Sequence, residues 1–434
     1  RDIKAHTIEH LDYYLDLLYT NVTAAGGHLH FAKDAAQANE IVAHIARTRN
    51  VKIATKSKSM VSEELGLNPV LEAVGVEVWE TDLGEYIIQL AGETPSHLVA
   101  PALHKSKEDV AELFAEKLGI PYDEDIFHMA ATAREVLRDK FMEADLGISG
   151  ANFVIAETGT LVIITNEGNG RLCTSAPRIH IGITGMEKVI PSLQDLSIFL
   201  RLLPQSATGQ RITSYVSMTT GPRRSDDEDG PEEFHLVLVD NGRSRMLADP
   251  ALREALYCIR CGACLNICPV YARVGGHAYG WVYPGPIGAV VSPMLVGLKK
   301  AKELPQASSL CGACREVCPI KIDIPKMFLY LRNQTAESPD PNLRSAPIVE
   351  RTMAKMYARL MSSPRLLGLS RRFGRALQLA EGMIPFSPLI KDGKWIRMAP
   401  LPPLSKWTRS RDLPALPKQS FHDIWKKELS RDDS

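Results

Sequence analysis

Cys258-Ile259-Arg260-Cys261-Gly262-Ala263-Cys264-Leu265-Asn266-Ile267-Cys268-Pro269 is the stretch from which the rest of the chain is read. Its cysteines are separated by two, two and three residues, and the run closes on Cys-Pro. Bacterial ferredoxins use this spacing to wrap three thiolates round one iron–sulfur cubane while the fourth reaches a neighbouring cluster. A second run, Cys311-Gly312-Ala313-Cys314-Arg315-Glu316-Val317-Cys318-Pro319, repeats the last three positions. Where its first cysteine would stand, the chain has Ser308.

Other uses of cysteine fail on spacing. A structural zinc site takes its four ligands in two pairs with a longer spacer between them, often including His. Disulfide frameworks belong to small secreted domains, and 8 cysteines in 434 residues is too sparse for one. Crossed ligation assigns Cys258, Cys261, Cys264 and Cys318 to a first cluster, a 4Fe-4S centre, and Cys268, Cys311 and Cys314 to a second. The second is one thiolate short. A 3Fe-4S cluster, a 4Fe-4S cluster with Ser308 or another oxygen ligand, and a 4Fe-4S cluster with one iron facing water or a partner are all open. These differ in charge, and charge, hydrogen bonds to sulfur and exposure set the potential.

The chain is long enough for two or three domains. Its 51 Lys and Arg balance 51 Asp and Glu, which leaves no gross electrostatic case for nucleic acid. The balance is uneven, since 351–427 holds sixteen Lys or Arg against four acids. The chain begins at Arg1 rather than Met, so residues in front of it are expected. Labile clusters and free thiols point to a reducing, cytoplasmic setting, with contact at the inner face of the cell membrane as a variant. The one long uncharged run, Val274 to Leu298, has the length of a membrane span but too many Gly and Pro for one long helix. It reads as backbone folded over the clusters as a dry cover, and no transmembrane segment is expected.

Upstream, apolar runs alternate with helical periodicity. Residues 3 to 25 read as one amphipathic helix. Strands are expected at 28–32, 51–54 and 76–79, with helices at 34–48, 59–65, 107–118 and 126–144. This is an α/β pattern with a largely parallel sheet. From Leu146 the texture becomes Gly-punctuated β. A hairpin turns at Glu157-Thr158-Gly159, Asn166 to Gly170 makes the next turn, strands follow at 179–184, 210–218 and 234–239, and a helix is expected at 193–203. Arg223 to Gly230 is an acidic, solvated loop. Helix is expected at 249–257, leading into the first cysteine run, and at 327–334, 349–360 and 367–379. The Pro-rich basic end, with Trp395, Trp407 and Trp425, reads as an arm. The expected domains are 1–245 (α/β), 246–337 (α-helical ferredoxin) and 338–434 (basic C-terminal arm).

Several features of the first domain carry candidate chemistry. Lys56-Ser57-Lys58-Ser59 follows a strand and precedes a helix, so it reads either as an anion site or as a solvated loop with a serine cap. His28 and His30 share one face of a strand, a pair more often structural than metal-binding. Glu157 and Glu167 sit in glycine turns and are candidates for nucleophile or base, with turn formation as the plain alternative. Cys173 reads as a buried side chain or as the missing cluster ligand. No GxGxxG or P-loop motif stands in a suitable context, and no catalytic residue is assigned.

Lys56-Ser57-Lys58-Ser59-Met60-Val61, Thr165 to Gly170, Gly230-Pro231-Glu232-Glu233-Phe234-His235, Cys258 to Cys261 and Ser308 to Pro319 together resemble the lactate-utilisation protein B family. That family supplies the iron–sulfur subunit of a three-protein bacterial L-lactate oxidation system. The resemblance covers nearly the whole chain and includes the serine before the second run. It implies a LUD-type first domain akin to sugar-phosphate isomerases and CoA transferases, joined to a ferredoxin domain. It also implies two partners, a cysteine-rich subunit with CCG motifs and a smaller LUD-domain protein, in a complex that oxidises L-lactate to pyruvate. The expected function is electron transfer within that complex. The alternatives are an α/β domain that itself acts on a small carboxylate or thioester, with the clusters as redox partner, and an assembly scaffold.

Overall fold

Two short helices open the chain, α1 (Asp2–Glu9) and α2 (Leu11–Ala24), in place of the single helix that apolar spacing predicts. The break falls at His10, whose backbone leaves helical geometry at φ −113°, ψ 36°. There follow β1 (His28–Ala32), α3 (Ala35–Thr48), β2 (Ile53–Lys56), α4 (Met60–Leu65), α5 (Leu67–Ala73), β3 (Glu77–Glu80), α6 (Leu83–Ala91), α7 (Lys107–Leu118), α8 (Ile126–Glu143) and β4 (Leu146–Ser149). The next elements are β5 (Phe153–Ile155), β6 (Thr160–Thr165), α9 (Asn169–Ser175), β7 (Ile179–Gly185), β8 (Val189–Ile190), α10 (Leu193–Thr208), β9 (Tyr215–Thr219), β10 (Glu233–Val239) and α11 (Arg243–Ala248). Beyond them lie α12 (Ala263–Asn266), α13 (Tyr271–Val274), α14 (Gly285–Val296), α15 (Ala313–Val317), α16 (Ile324–Glu337), α17 (Ile348–Met361) and α18 (Pro364–Gly382). This computed structural model describes residues 1–344, 347–382, 390–391, 395–396, 409–414, 417, 419 and 421–429. The expected arm residue Trp407 lies outside the described residues. The chain forms two units, Arg1–Ser345 and Ala346–Ser434.

In the first unit, six parallel strands run in the order β1-β10-β7-β4-β2-β3. β4 and β7 are buried along their whole length, as parallel strands covered on both faces must be. Alternation along β10 assigns the two faces. Phe234, Leu236 and Leu238 pack with Leu18 and Val22 of α2, while Val237 and Val239 pack with Ala38 and Val42 of α3. Ends are set locally: Asp34 accepts from the Gln37 N–H at 2.9 Å to cap α3, and Ser59 accepts from the Ser62 N–H at 3.2 Å to cap α4.

A second sheet, in the order β8-β5-β6-β9, joins this layer to the cysteine-bearing region. Val154, Leu161 and Val189 face the α2 side. Phe153, Ile155, Val162 and Ile190 face the other way, into one continuous core with Phe199 of α10, Leu265 of α12, Ile287 of α14 and Phe328 of α16. The segment after α6 also grips the cysteine-bearing region. The Tyr271 hydroxyl donates to the Ser96 carbonyl at 2.9 Å, and His277 Nε2 donates to the Thr94 carbonyl at 2.7 Å. Gly276 lies so close to Ser96 that a Cβ there would strike its carbonyl oxygen.

The uncharged run 274–298 packs into one core with the cysteines and is more regular than its composition suggests. It contains α14, twelve residues long, with Pro286 in the first turn, where a missing N–H costs nothing. This helix is buried nearly all round, so it shows no polar face for a periodicity argument to find. No helix among the described residues is long and apolar enough to cross a membrane. In the second unit, α17 and α18 are amphipathic, and α17 has no buried residue.

Candidate functional site

The two cysteine runs fold as one loop used twice. In the first, Arg260 takes φ 61° and Gly262 φ 78°, and α12 follows. In the second, Leu310 takes φ 56° and Gly312 φ 85°, and α15 follows. Arg260 and Leu310 have side chains in the left-handed region, which costs an L-residue roughly 1–2 kcal/mol. The conformation turns their backbone N–H inward: Arg260 donates to Cys258 Sγ at 3.4 Å, and Leu310 donates to Ser308 Oγ at 3.2 Å. The serine oxygen therefore holds the place in the second loop that the Cys258 sulfur holds in the first. Further backbone donors reach Cys268 Sγ from Tyr271 and Cys318 Sγ from Ile322, each at 3.5 Å.

Cys258, Cys261 and Cys264 of the first run and Cys318 of the second line one opening, with about 380 Å³ of space not filled by atoms. Ile259, Ile287, Ile320 and Ile322 wall it with hydrocarbon. On the other side, Cys314 has Cys268 and Cys311 as electrostatic neighbours. Burial pushes the Cys261 thiol up to about 12 and the Cys314 thiol to about 11, and raises Cys318 and Cys264 as well. Thiolates in such a place need a cationic group bound directly to sulfur, and inward N–H donors suit the sulfurs of a thiolate-bound cluster. Cys311 differs, being exposed, with its thiol lowered by the Ala313 N–H and the Ser309 side chain. Among the described residues no three His, Cys, Asp or Glu converge closely enough for a single metal ion. The donor set fits a larger, multi-iron group.

A separate cavity of about 170 Å³ opens at the carboxyl ends of β2, β3, β4 and β7. In an open α/β sheet ligands gather there, where the strand order reverses, and here β2 has β3 on one side and β4 on the other. Lys58, Asp82, Asn152, Thr184, Lys188 and Arg260 are among its lining side chains. Arg260 lines this cavity and the cysteine opening alike. Its guanidinium lies 4.5 Å over the Tyr283 ring and 3.6 Å from Glu187.

Behind Arg260 sits a buried ion network. Arg243 pairs with Glu64 at 2.9 Å and with Glu187 at 2.5 Å, and the Tyr283 hydroxyl donates to Glu64 at 2.7 Å. Burial opposes the Glu187 charge, but Arg243, Arg260 and Lys188 outweigh it and hold that carboxyl at about 2. Burial, then repulsion by Arg260, brings Lys188 down to about 8.

Of the residues singled out by sequence, Lys58, Ser57 and Ser59 line the cavity. Lys56 does not reach it, being fully buried and paired with Glu63 and Glu80 at 2.6 Å each. Glu157 accepts from the Leu193 N–H at 3.2 Å, at the start of α10, and lies away from the cavity lining. Glu167 is exposed and has Asp82 and Lys58 as charged neighbours. Cys173 is buried, 3.3 Å from the Thr81 hydroxyl among side chains of α6, α7 and α8, in a different core from the loop cysteines. His28 and His30 stack against His235 of β10, with His30 Nε2 3.1 Å from His235 Nδ1. Sequence reasoning missed Lys188, Arg243 and Arg260. The available signals were a Glu-Lys pair directly after an apolar strand and an arginine inside an otherwise uncharged cysteine loop.

Family models match along the chain: LUD domain over residues 15–239, 4Fe-4S dicluster domain over 254–322, and Lactate utilisation protein B, C-terminal, over 332–430. A lactate utilization protein B from Geobacillus thermodenitrificans (strain NG80-2) is 48% identical over 393 residues, 90% of this chain and 80% of that protein. The chain belongs to the lactate utilization protein B family. Another member, from Macrococcus caseolyticus (strain JCSC5402), is 47% identical over 402 residues, 92% of this chain and 82% of its own length. Among solved structures, a DUF162 family protein from Deinococcus radiodurans aligns at 12% identity and TM-score 0.31, covering 53% of this chain and 98% of that one. The expected architecture, an α/β LUD domain with a parallel sheet followed by a ferredoxin-like 4Fe-4S dicluster domain, therefore stands.

Proposed function

We propose that this chain carries electrons through two iron–sulfur clusters in a system that oxidises L-lactate to pyruvate. Its relatives' name supports a role in lactate utilisation, and the dicluster match supports iron–sulfur electron transfer. The observation that carries the reading is the convergence of Cys258, Cys261, Cys264 and Cys318, from two separate runs, on one hydrocarbon-walled opening. In this reading those four hold a 4Fe-4S cluster, and Cys268, Cys311 and Cys314 hold a second cluster beside Ser308. The clusters supply one-electron storage. The protein's part is to aim backbone N–H groups at sulfur, to keep water from the first site with Ile259, Ile287 and Ile320, and to leave the second site open at Cys311. The CCG-motif subunit and the smaller LUD-domain protein are its partners in this reading, and the domains are 1–245, 246–337 and 338–434.

The test is EPR with iron and sulfide analysis on anaerobically purified chain, with L-lactate added in the presence and absence of both partners. Two clusters reduced by lactate only when the partners are present is the expected outcome. Absence of clusters, or clusters that lactate never reduces in the full system, overturns the reading.

A further inference from the structure

We infer that the cavity at the carboxyl ends of β2, β3, β4 and β7 is a binding site for a small monocarboxylate of the 2-hydroxy or 2-oxo acid class, seated against the first cysteine loop. The substrate class rests on the lactate reading above; the site itself rests on geometry. Lys58, Lys188 and Arg260 bring three cations to the lining, against two carboxylates, Asp82 and Glu187. One positive charge is left over, which suits a monoanion better than a phosphate dianion. Glu187 is shared between Arg243 at 2.5 Å and Arg260 at 3.6 Å.

Two buried groups here lack partners. Arg260, with 11% of its side chain exposed, has Nη1 buried and without a hydrogen bond. The Thr184 hydroxyl, on a residue 1% exposed, is likewise unpaired. Lys188, 7% exposed, lines the same cavity. Buried polar groups are almost always satisfied, so donors left open around one cavity mark the place of an acceptor that the chain does not supply. A guanidinium fixed over Tyr283 presents its N–H fork in one plane, the geometry that takes a carboxylate in two bonds. Thr184 and Asn152 are polar groups for a 2-hydroxyl or 2-oxo oxygen, and Met60, Leu98 and Ile183 give a short carbon chain an apolar wall. At about 170 Å³ the space falls below the roughly 300–1,000 Å³ of pockets for drug-sized ligands. Arg260 also ties the site to the cluster loop, because its backbone N–H donates to Cys258 Sγ while its side chain lines the cavity.

The experiment is anaerobic calorimetry on the cluster-loaded chain with L-lactate, pyruvate, acetate and inorganic phosphate, with iron content and the EPR spectrum of the dithionite-reduced protein recorded on the same samples. Saturable binding of lactate or pyruvate, with phosphate bound at least tenfold more weakly, is expected. Lys188→Met and Lys58→Met should each weaken that binding at least tenfold with iron content and spectrum unchanged. A cluster-replete chain that binds neither acid, that prefers phosphate, or whose K58M/K188M double variant binds as well as the parent overturns the site. Those outcomes leave the electron-transfer reading standing, since that reading fails on missing or unreducible clusters.

Discussion

The two cysteine loops have the same backbone and different surroundings. Each turns through a left-handed side-chain residue and a left-handed glycine into a short helix, and each aims the same N–H at its first position. The first is walled by isoleucines, and its left-handed residue is Arg260, which reaches into the α/β cavity. The second has Leu310 there, Ser308 where a sulfur would be, and Cys311 at the surface. One backbone geometry occurs twice in the chain and differs in what it faces. One copy faces a candidate substrate cavity, and the other faces solvent, where a partner can dock. The largest effect that tests this division comes from Cys318→Ala. Although Cys318 belongs to the second run, its loss should remove the first cluster and about half of the iron, whereas Cys268→Ala should remove the second. Iron analysis with EPR of the reduced variants decides it, and a Cys318 variant that keeps the first cluster's signal breaks the comparison.

The loops are also held differently. The first leans on Arg243, Glu64, Glu187 and Tyr283, all buried. The second is held by Arg332 of α16, which donates to the Pro305 and Ser308 carbonyls at 2.8 Å. Removing one member of a buried ion network strands its partners, at a cost of about 3–5 kcal/mol. Losing hydrogen bonds from a charged donor costs about 1.5–3 kcal/mol. Arg243→Met should therefore lower the stability of the cluster-loaded chain more than Arg332→Met does, by denaturant titration under anaerobic conditions. Equal losses would mean that the α/β domain does not brace the first loop.

How much of this the sequence discloses depends on how local the cause is. Cysteine spacing is a one-dimensional signal, and both loops and the serine in the first position of the second could be read from it. Strands of the parallel sheet were legible as short apolar runs, as at 28–32 and 234–239. α6 and α9 were not, because α6 is short and the glycines and asparagines around Gly168 read as a turn. β9 begins at Tyr215 rather than 210, since Asn166 gathers the Ser214 N–H and hydroxyl and holds the preceding residues as loop. The cavity was illegible for a different reason. Lys58 and Asp82 follow β2 and β3, Thr184 lies at the end of β7 with Lys188 just after it, and Arg260 sits in a cysteine loop; only the order β7-β4-β2-β3 brings the first four to one rim. The fully buried lysine of the Lys56 to Ser59 stretch shows the converse error. Two lysines two residues apart on an extended backbone need not share a fate, and Lys56 turns into Glu63 and Glu80 while Lys58 reaches the cavity.

Ser308→Cys sharpens the comparison with the smallest structural change. Its Oγ already accepts the Leu310 N–H, as Cys258 Sγ accepts that of Arg260, so a sulfur at that position inherits a donor and a rotamer. The second site would then have the four-thiolate count of the first. An added thiolate adds negative charge, and more negative charge favours the oxidised cluster, so the second site's midpoint potential should fall while the first is unmoved. A redox titration followed by EPR measures both. If the potentials converge, the missing thiolate is what separates them, and the exposure of Cys311 contributes little. If the second stays apart with four thiolates bound, solvent exposure sets the difference, and a partner that covers Cys311 would shift that site's potential.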